Sequence, residues 1–340
     1  MIKVASTTKT IICIGTGGVG KTTMSASLAS GLAKDKKVLV LTIDPSLRLA
    51  QALGIKPDGE VYKVKENLYA CTLNHQKAFQ DFVLKAAKAT ATKEEIEKLL
   101  QNKLYKQLST QLSGSQDFSS LFKLTEFVNS KEYDIVILDT PPAQHTWHFL
   151  HAPEKIAQLF NEGVAQWFRD PDQKDVGFFK RVLNTGTSQV LKILENLTGS
   201  EFVKELSMFF KAIQRWQTPL EKQVWDCHKV LTAKSTEFIL VTALDPSRIS
   251  EALRLSSEIE KQGYNLKSII INRVPSWMNE EVAAGPLVRY VQYLKALEAR
   301  LLGSKSKFGA HLKVYKSQEL SHNQLHVENL SDIYHNIELI

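Results

Sequence analysis

From Thr10 to Ile43 the period of the hydrophobic pattern changes twice. Thr10 to Ile14 is an apolar, β-branched run, a glycine-rich stretch follows, Thr22 to Lys34 has a helical distribution of apolar positions, and Val38 to Ile43 is again continuously apolar. This order predicts strand, glycine turn, helix and strand, a βαβ unit. Asn67 to Leu73, Tyr133 to Asp139, Glu237 to Ala243 and Lys267 to Asn272 are short apolar runs of the same kind. They have the length and β-branched content of strands covered on both faces of a parallel sheet. In Ser247 to Gln262, Ile249, Ala252, Leu253 and Ile259 share one face, and Gly263 follows as a C-cap. That is an amphipathic helix.

The strand ending at Asp139 and the one starting near Glu237 are separated by about a hundred residues with helical periodicity and no strand pattern. No ordinary crossover is that long, so the stretch reads as a helical insertion. A smaller helical block, Gln76 to Ser130, precedes the Asp139 strand, and the tail from His311 reads as a short strand followed by a helix. The expected fold is α/β, with a mostly parallel twisted sheet flanked by helices and an inserted helical subdomain. The expected core comprises 1–75, 112–145 and 236–340, and the helical subdomain 76–111 and 146–235.

Composition changes this picture little. Over 340 residues, hydrophobic residues make up 43% and charged residues 23%, the balance of a soluble globular protein. The three cysteines, Cys13, Cys71 and Cys227, have no CxxC spacing, so neither a zinc site nor a disulfide framework is expected. No apolar run approaches the roughly 20 residues that cross a bilayer, and Lys9 and the glycine loop interrupt any signal-peptide core. A cytoplasmic location is expected, with membrane contact only indirect. The net charge of +7 is spread along helices without a block of like charges, and nucleic acid is not an expected partner.

The chemistry concentrates at Gly15-Thr-Gly-Gly-Val-Gly-Lys-Thr22, which satisfies GxxxxGK[ST] between an apolar strand and a helix. Glycines let the backbone wrap phosphates, and the N–H groups of the loop and helix start supply donors. The nucleotide-binding set is therefore Gly15, Thr16, Gly17, Gly18, Val19, Gly20, Lys21, Thr22 and Thr23. Lys21 would neutralise the β- and γ-phosphates, Thr22 would ligate Mg²⁺ and Thr23 would reach the α-phosphate. Asp139 closes an apolar strand as a Walker B carboxylate does, which suits Mg²⁺ bound through water. An aspartate capping the next turn is the alternative. Asp44 is a candidate to orient or deprotonate the attacking water, or else an N-cap ahead of Ser46 to Leu53.

Taken in order, GTGGVGKTT, VLVLTIDPSLRLAQALG, DIVILDTPPAQHTWHFLHAPEK and IIINRV resemble the ArsA-type ATPases, which include arsenite-pump and tail-anchored-protein targeting ATPases of the deviant Walker A class. These motifs span residues 10 to 275, and the LSGSQDF stretch within Leu108 to Phe118 most resembles a bacterial branch without a defined client. The resemblance implies ATP and Mg²⁺ as cofactors and a homodimer as the working form. It makes Asp44 and Pro45, with Arg48 nearby, switch I; it makes Asp139, Thr140, Pro141 and Pro142, with His145, switch II. Asn272 falls on the family's adenine-contacting asparagine, and Arg273 beside it joins the nucleotide-binding set. Three departures stand out. Thr16 replaces the signature lysine, with Arg48 as either a substitute cation or a solvated arginine; the zinc-clamping CxxC is missing; and no cysteine triad for arsenite is present. A single P-loop is present, so two sites require two copies.

Within the insertion, Phe202, Leu206, Phe209, Phe210 and Ile213 form a helical stripe, and Trp147, Trp167, Trp216 and Trp225 add aromatic bulk. The stripe is either a groove for a client's hydrophobic helix or a face buried between the insertion's own helices. His145, His148 and His151 have helical spacing but no carboxylate or cysteine to complete a metal set. The leading expectation is an ATP-driven dimeric switch that binds and releases a protein client. The alternatives are a positioning ATPase of the ParA or MinD kind and a slow nucleotide-gated interaction module.

Overall fold

The computed structural model describes residues 2–43, 48–88, 91–102, 115–140, 148–154, 215–279, 286–304, 311–319 and 327–340. The described elements are β1 (Thr10–Gly15), α1 (Lys21–Leu32), β2 (Val38–Thr42), α2 (Arg48–Leu53), β3 (Val61–Lys65), β4 (Leu68–Thr72), α3 (His75–Ala87), α4 (Lys93–Gln101), α5 (Ser115–Ser130) and β5 (Ile135–Asp139). They continue with α6 (Gln217–Thr232), β6 (Thr236–Thr242), α7 (Pro246–Lys261), β7 (Leu266–Val274), a 3-10 turn (Ser276–Asn279), α8 (Pro286–Gly303), β8 (Lys313–Gln318), α9 (Val327–His335) and β9 (Ile337–Leu339).

The nine strands form one sheet in the order β3-β4-β2-β5-β1-β6-β7-β8-β9. Every pairing is parallel except the two outermost, β3 with β4 and β8 with β9. The central strands β1, β2, β5 and β6 are buried at every position, which is why each reads as an unbroken apolar run. β3 was not expected from its sequence, VYKVK, whose residues alternate between exposed and half-buried at the sheet edge. Its lysines discourage pairing with another chain, and they also dilute the hydrophobic signal. β9 was also not expected; three residues are too few for a periodicity.

The chain divides into two compact units. The first comprises Met1–Asn74, Lys123–Leu150 and His228–Ile340 and contains the sheet. Ile11, Cys13, Val38, Val40, Ile137, Val241 and Ile270, on one side of the sheet, share a core with Met24 and Leu28 of α1 and Leu330, Ile333 and Tyr334 of α9. α1 and α9 are joined by Ser27, whose Oγ donates to the Leu330 carbonyl at 2.9 Å, and by close packing of Gly31 on the Tyr334 ring, where any side chain at 31 would overlap. The Tyr334 hydroxyl donates to the Ile2 carbonyl at 3.0 Å. α7 starts at the N-cap Asp245, which accepts from the Ser247 and Arg248 amides, with Pro246 in the first turn.

The second unit comprises His75–Phe122 and His151–Cys227, so the boundary falls inside α5. Its described core centres on Phe82, which meets Phe118 at 4.7 Å and Phe122 at 5.4 Å in edge-to-face contacts. Thr92 and Glu95 form a capping box at the start of α4, and Arg215 pairs with Glu95 at 2.5 Å. Among the described residues no helix is long and apolar enough to cross a membrane.

Candidate functional site

The phosphate loop leaves the sheet where β1 ends. Gly15 lies against the Val241 carbonyl, with no room for a Cβ. Gly18 and Gly20 hold φ of 77° and 82°, the left-handed region that favours glycine. Gly20 is the N-cap of α1, has no side chain to satisfy the helix's first amides, and is followed by a first turn without an acidic residue. Those amides and the dipole they head are left for an anion. Lys21 is 7% exposed, while Thr22 and Thr23 are half-buried. The loop fits a polyphosphate: a methyl group at Gly20 would overlap the Asn272 amide, so the turn closes as tightly as the motif requires.

That amide belongs to a distortion in β7. The pairing of β7 with β8 shifts register between Ile271 and Val274, and Arg273, between them, has φ of 57°. A non-glycine residue in this region stores strain of roughly 1–3 kcal/mol, so something holds it there. The Asn272 Nδ2 group donates to the Val19 carbonyl at 2.8 Å, and Arg273 Nη1 donates to the Gly18 carbonyl at 3.4 Å. Two consecutive loop carbonyls are thereby tied back toward β7, an arrangement that favours loop amides turned toward an anion. The structure brings both residues to the loop. Their bracing role was not foreseen, and its only trace in the sequence is a polar Asn-Arg pair interrupting an apolar strand.

Asp139, the last residue of β5, is fully buried and lies between β1 and β2. Its Oδ1 accepts from Ser25 Oγ of α1 at 3.1 Å, and its Oδ2 from Thr42 Oγ1 of β2 at 3.3 Å. The Thr140 hydroxyl donates to the Cys13 carbonyl at 2.7 Å, so the end of β5 is fastened to three neighbours at once. Ser25 was missed by sequence reasoning; it lies one turn beyond Thr22, on a helix otherwise read for its apolar face. Burial pushes the Cys13 thiol up to about 12, against the Ser25 hydrogen bond and the Lys21 charge, which lower it, and with the Asp139 charge adding to the rise. Cys13 therefore remains protonated and unreactive.

Thr16 is 1% exposed, and its hydroxyl has no hydrogen-bond partner among the described residues. Arg48 opens α2 and is exposed. Asp44, Pro45, Pro141, Pro142 and His145 lie outside the described residues, as do Phe202, Leu206, Phe209, Phe210 and Ile213. Among the described residues no three His, Cys, Asp or Glu side chains are grouped to hold a metal, and all three cysteines are buried.

Residues 8–337 match the ArsA ATPase family, whose description is anion-transporting ATPase. An "ATPase ASNA1 homolog" of Cryptosporidium parvum (strain Iowa II) is 28% identical over 274 residues, covering 79% of this chain and 66% of that protein. "ATPase get3" of Aspergillus terreus (strain NIH 2624 / FGSC A1156) is 27% identical over 263 residues, covering 76% of this chain and 71% of its own. "ATPase GET3" of Malassezia globosa (strain ATCC MYA-4612 / CBS 7966) is 25% identical over 276 residues, covering 78% and 72%. The chain thus spans 66% to 72% of the length of these relatives. Because the match runs from before β1 to the first residue of β9, and the loop it contains has the geometry of a polyphosphate cradle, this chain belongs to the ArsA family of ATPases.

Proposed function

We propose that this ATPase is a Mg-ATP-driven conformational switch that works in the cytoplasm as a homodimer and couples hydrolysis to the binding and release of a protein client. The observation that carries the reading is the bond between Asp139 and Ser25. It joins the strand leading into Thr140 and the proline pair to the helix that follows the phosphate loop, so a change at the phosphates acts on both. The client would be held by the helical subdomain of 76–111 and 146–235, with Phe202, Leu206, Phe209, Phe210 and Ile213 as its apolar face. The resemblance to tail-anchored-protein targeting ATPases makes a hydrophobic helix the client chemistry.

Loop amides and the first turn of α1 hold the triphosphate, and the Lys21 ammonium offsets charge on its β- and γ-oxygens. Thr22, and Asp139 through water, would hold Mg²⁺, which when bound neutralises charge developing on the oxygens of the transferred phosphoryl group. Asp44 orients the attacking water or takes its proton. Asn272 and Arg273 keep the loop closed around the ligand and belong to the nucleotide site.

Steady-state ATPase activity across a range of protein concentrations tests the proposal, with Lys21→Ala and Thr16→Lys beside the wild type. Specific activity that rises with concentration and disappears in Lys21→Ala is expected. Activity independent of concentration would remove the dimer from the mechanism. A second reading, a slow nucleotide-gated binding module, is favoured by Thr16, which offers a buried hydroxyl where the family carries a cation. Tight ATP binding without turnover would select it.

A further inference from the structure

Between Asn272 and Val274, which are 6% and 2% exposed, Arg273 stands in solvent with φ of 57°. The ladder from β7 to β8 is interrupted only here. Ile271 pairs with Lys316 before the distortion, and beyond it Val274 pairs with Gln318 and its carbonyl accepts from the Glu319 amide at 2.9 Å. An interruption this short re-aims a side chain and leaves the strand in place. It lays the guanidinium along the phosphate loop, with Nη1 on the Gly18 carbonyl and Nε 3.9 Å from the point that a Cβ at Gly20 would occupy. Bracing alone does not account for the strain. The bond to Gly18 is 3.4 Å long and exposed, beyond the usual N–H···O range, whereas buried Asn272 already ties the adjacent Val19 carbonyl at 2.8 Å. Among the described residues no carboxylate pairs with Arg273, and Gly18 is its one partner.

We propose that Arg273 stacks on the base of the bound nucleotide and selects purines over pyrimidines, a role that rests on the nucleotide-site reading above. Two placements decide it. Amides of a phosphate loop converge on the anion, so its carbonyls point away. A guanidinium resting on the Gly18 carbonyl is therefore outside the cradle, and buried Lys21 is left as the loop's phosphate cation. Asn272, the position that the resemblance gives to adenine, is the preceding residue and meets the loop one residue further on, at Val19. A base held by Asn272 lies beside the Arg273 guanidinium. That group is planar, delocalised and weakly hydrated, so it can keep one edge N–H on a carbonyl while its face covers an aromatic ring. Bases splayed out of nucleic acids stack on arginine planes in the same manner. A lysine ammonium, a compact point charge, has no such plane. The fused rings of a purine offer the larger face and gain more from the contact than a pyrimidine does.

The test is calorimetric titration of the full chain, with Mg²⁺, against non-hydrolysable analogues of ATP and CTP and against inorganic tripolyphosphate. Cytosine carries an amino group as adenine does, but on a single ring, so the two analogues differ chiefly in the face they offer. We expect the wild type to prefer the ATP analogue. Arg273→Gln should weaken that analogue about tenfold, the CTP analogue less, and tripolyphosphate by less than about twofold, which also shows that the variant folds. Arg273→Lys, which keeps a cation able to reach Gly18, should lose most of the same factor for want of a plane. A residue that only braces the loop would give equal losses on all three ligands, and that result overturns the proposal. So does an ATP-analogue affinity that Arg273→Gln leaves unchanged or Arg273→Lys fully restores, and so does a wild type that binds tripolyphosphate as tightly as the ATP analogue. A wild type that binds none of the three removes the nucleotide site itself, and the role of Arg273 with it.

Discussion

At the scale of single residues, Thr16 combines near-complete burial with a hydroxyl that has no hydrogen-bond partner among the described residues. A buried hydroxyl without a partner costs about 1–3 kcal/mol relative to one that is paired, and valine has nearly the same shape without that group. Thr16→Val is therefore expected to raise the urea midpoint by the equivalent of about 1 kcal/mol. A lower midpoint would mean that the hydroxyl has a partner in solution. Two glycines of the loop make a second, paired prediction. Both have positive φ, so alanine at either costs roughly 1–2 kcal/mol of strain. Only at Gly20 does the methyl group also overlap the Asn272 amide, whereas at Gly18 it meets open space. Calorimetric titration with an ATP analogue should then show Gly20→Ala weakened at least about tenfold and Gly18→Ala much less affected. Equal losses would mean that the Asn272 brace contributes nothing to binding.

At the scale of elements, the contact of α1 with α9 sets two physical effects against each other. Gly31 lies in the last turn of α1, where alanine is favoured by at most about 1 kcal/mol on intrinsic propensity. A Cβ there would, however, overlap the ring of Tyr334, which is buried and held by its bond to Ile2. Overpacking of a ring that cannot move away costs about 1–3 kcal/mol, so packing wins and Gly31→Ala is expected to lower the melting temperature. A rise in melting temperature would show that α9 can shift on the helix that follows the phosphate loop. The N-cap of α7 carries a simpler expectation. Asp245 accepts from two amides, and Asp245→Ala should cost about 1 kcal/mol without altering nucleotide affinity, as read by denaturation and titration together.

At the scale of the whole molecule, burial of the sheet's centre makes stability depend on alkaline pH in a predictable sense. Cys13 has a folded-state value of about 12 against a reference of 9.0. The folded chain holds this proton longer than the unfolded chain does. Its contribution is fully present below the reference value and is lost as pH rises through the window from 9.0 to about 12. Denaturation midpoints should fall from pH 8 to pH 10, and Cys13→Ala, though less well packed, should show a shallower fall. An identical slope in that variant would mean that another group, such as Tyr133, also pushed up by burial to about 12, governs the trend. All three cysteines are buried, so a thiol reagent at neutral pH should label the native protein only after unfolding.

The sequence by itself determined the parallel centre of the sheet, the phosphate loop and the family. β1, β2, β5, β6 and β7 are covered on both faces, so each has to be written as an apolar run, and the loop's chemistry requires its glycines and lysine in consecutive order. Local information of that kind survives in a string of letters. The edge strand β3 did not, because half its surface faces water and its lysines read as loop. Only the tertiary structure decided how the site is held together. Asn272 and Val19 are 253 positions apart, Ser25 and Asp139 are 114 apart, and no periodicity relates residues that meet through a strand bulge or across a sheet. The hydroxyl of Thr16, unpartnered among the described residues, belongs to the same class, since whether a polar group is satisfied depends on what the fold places around it.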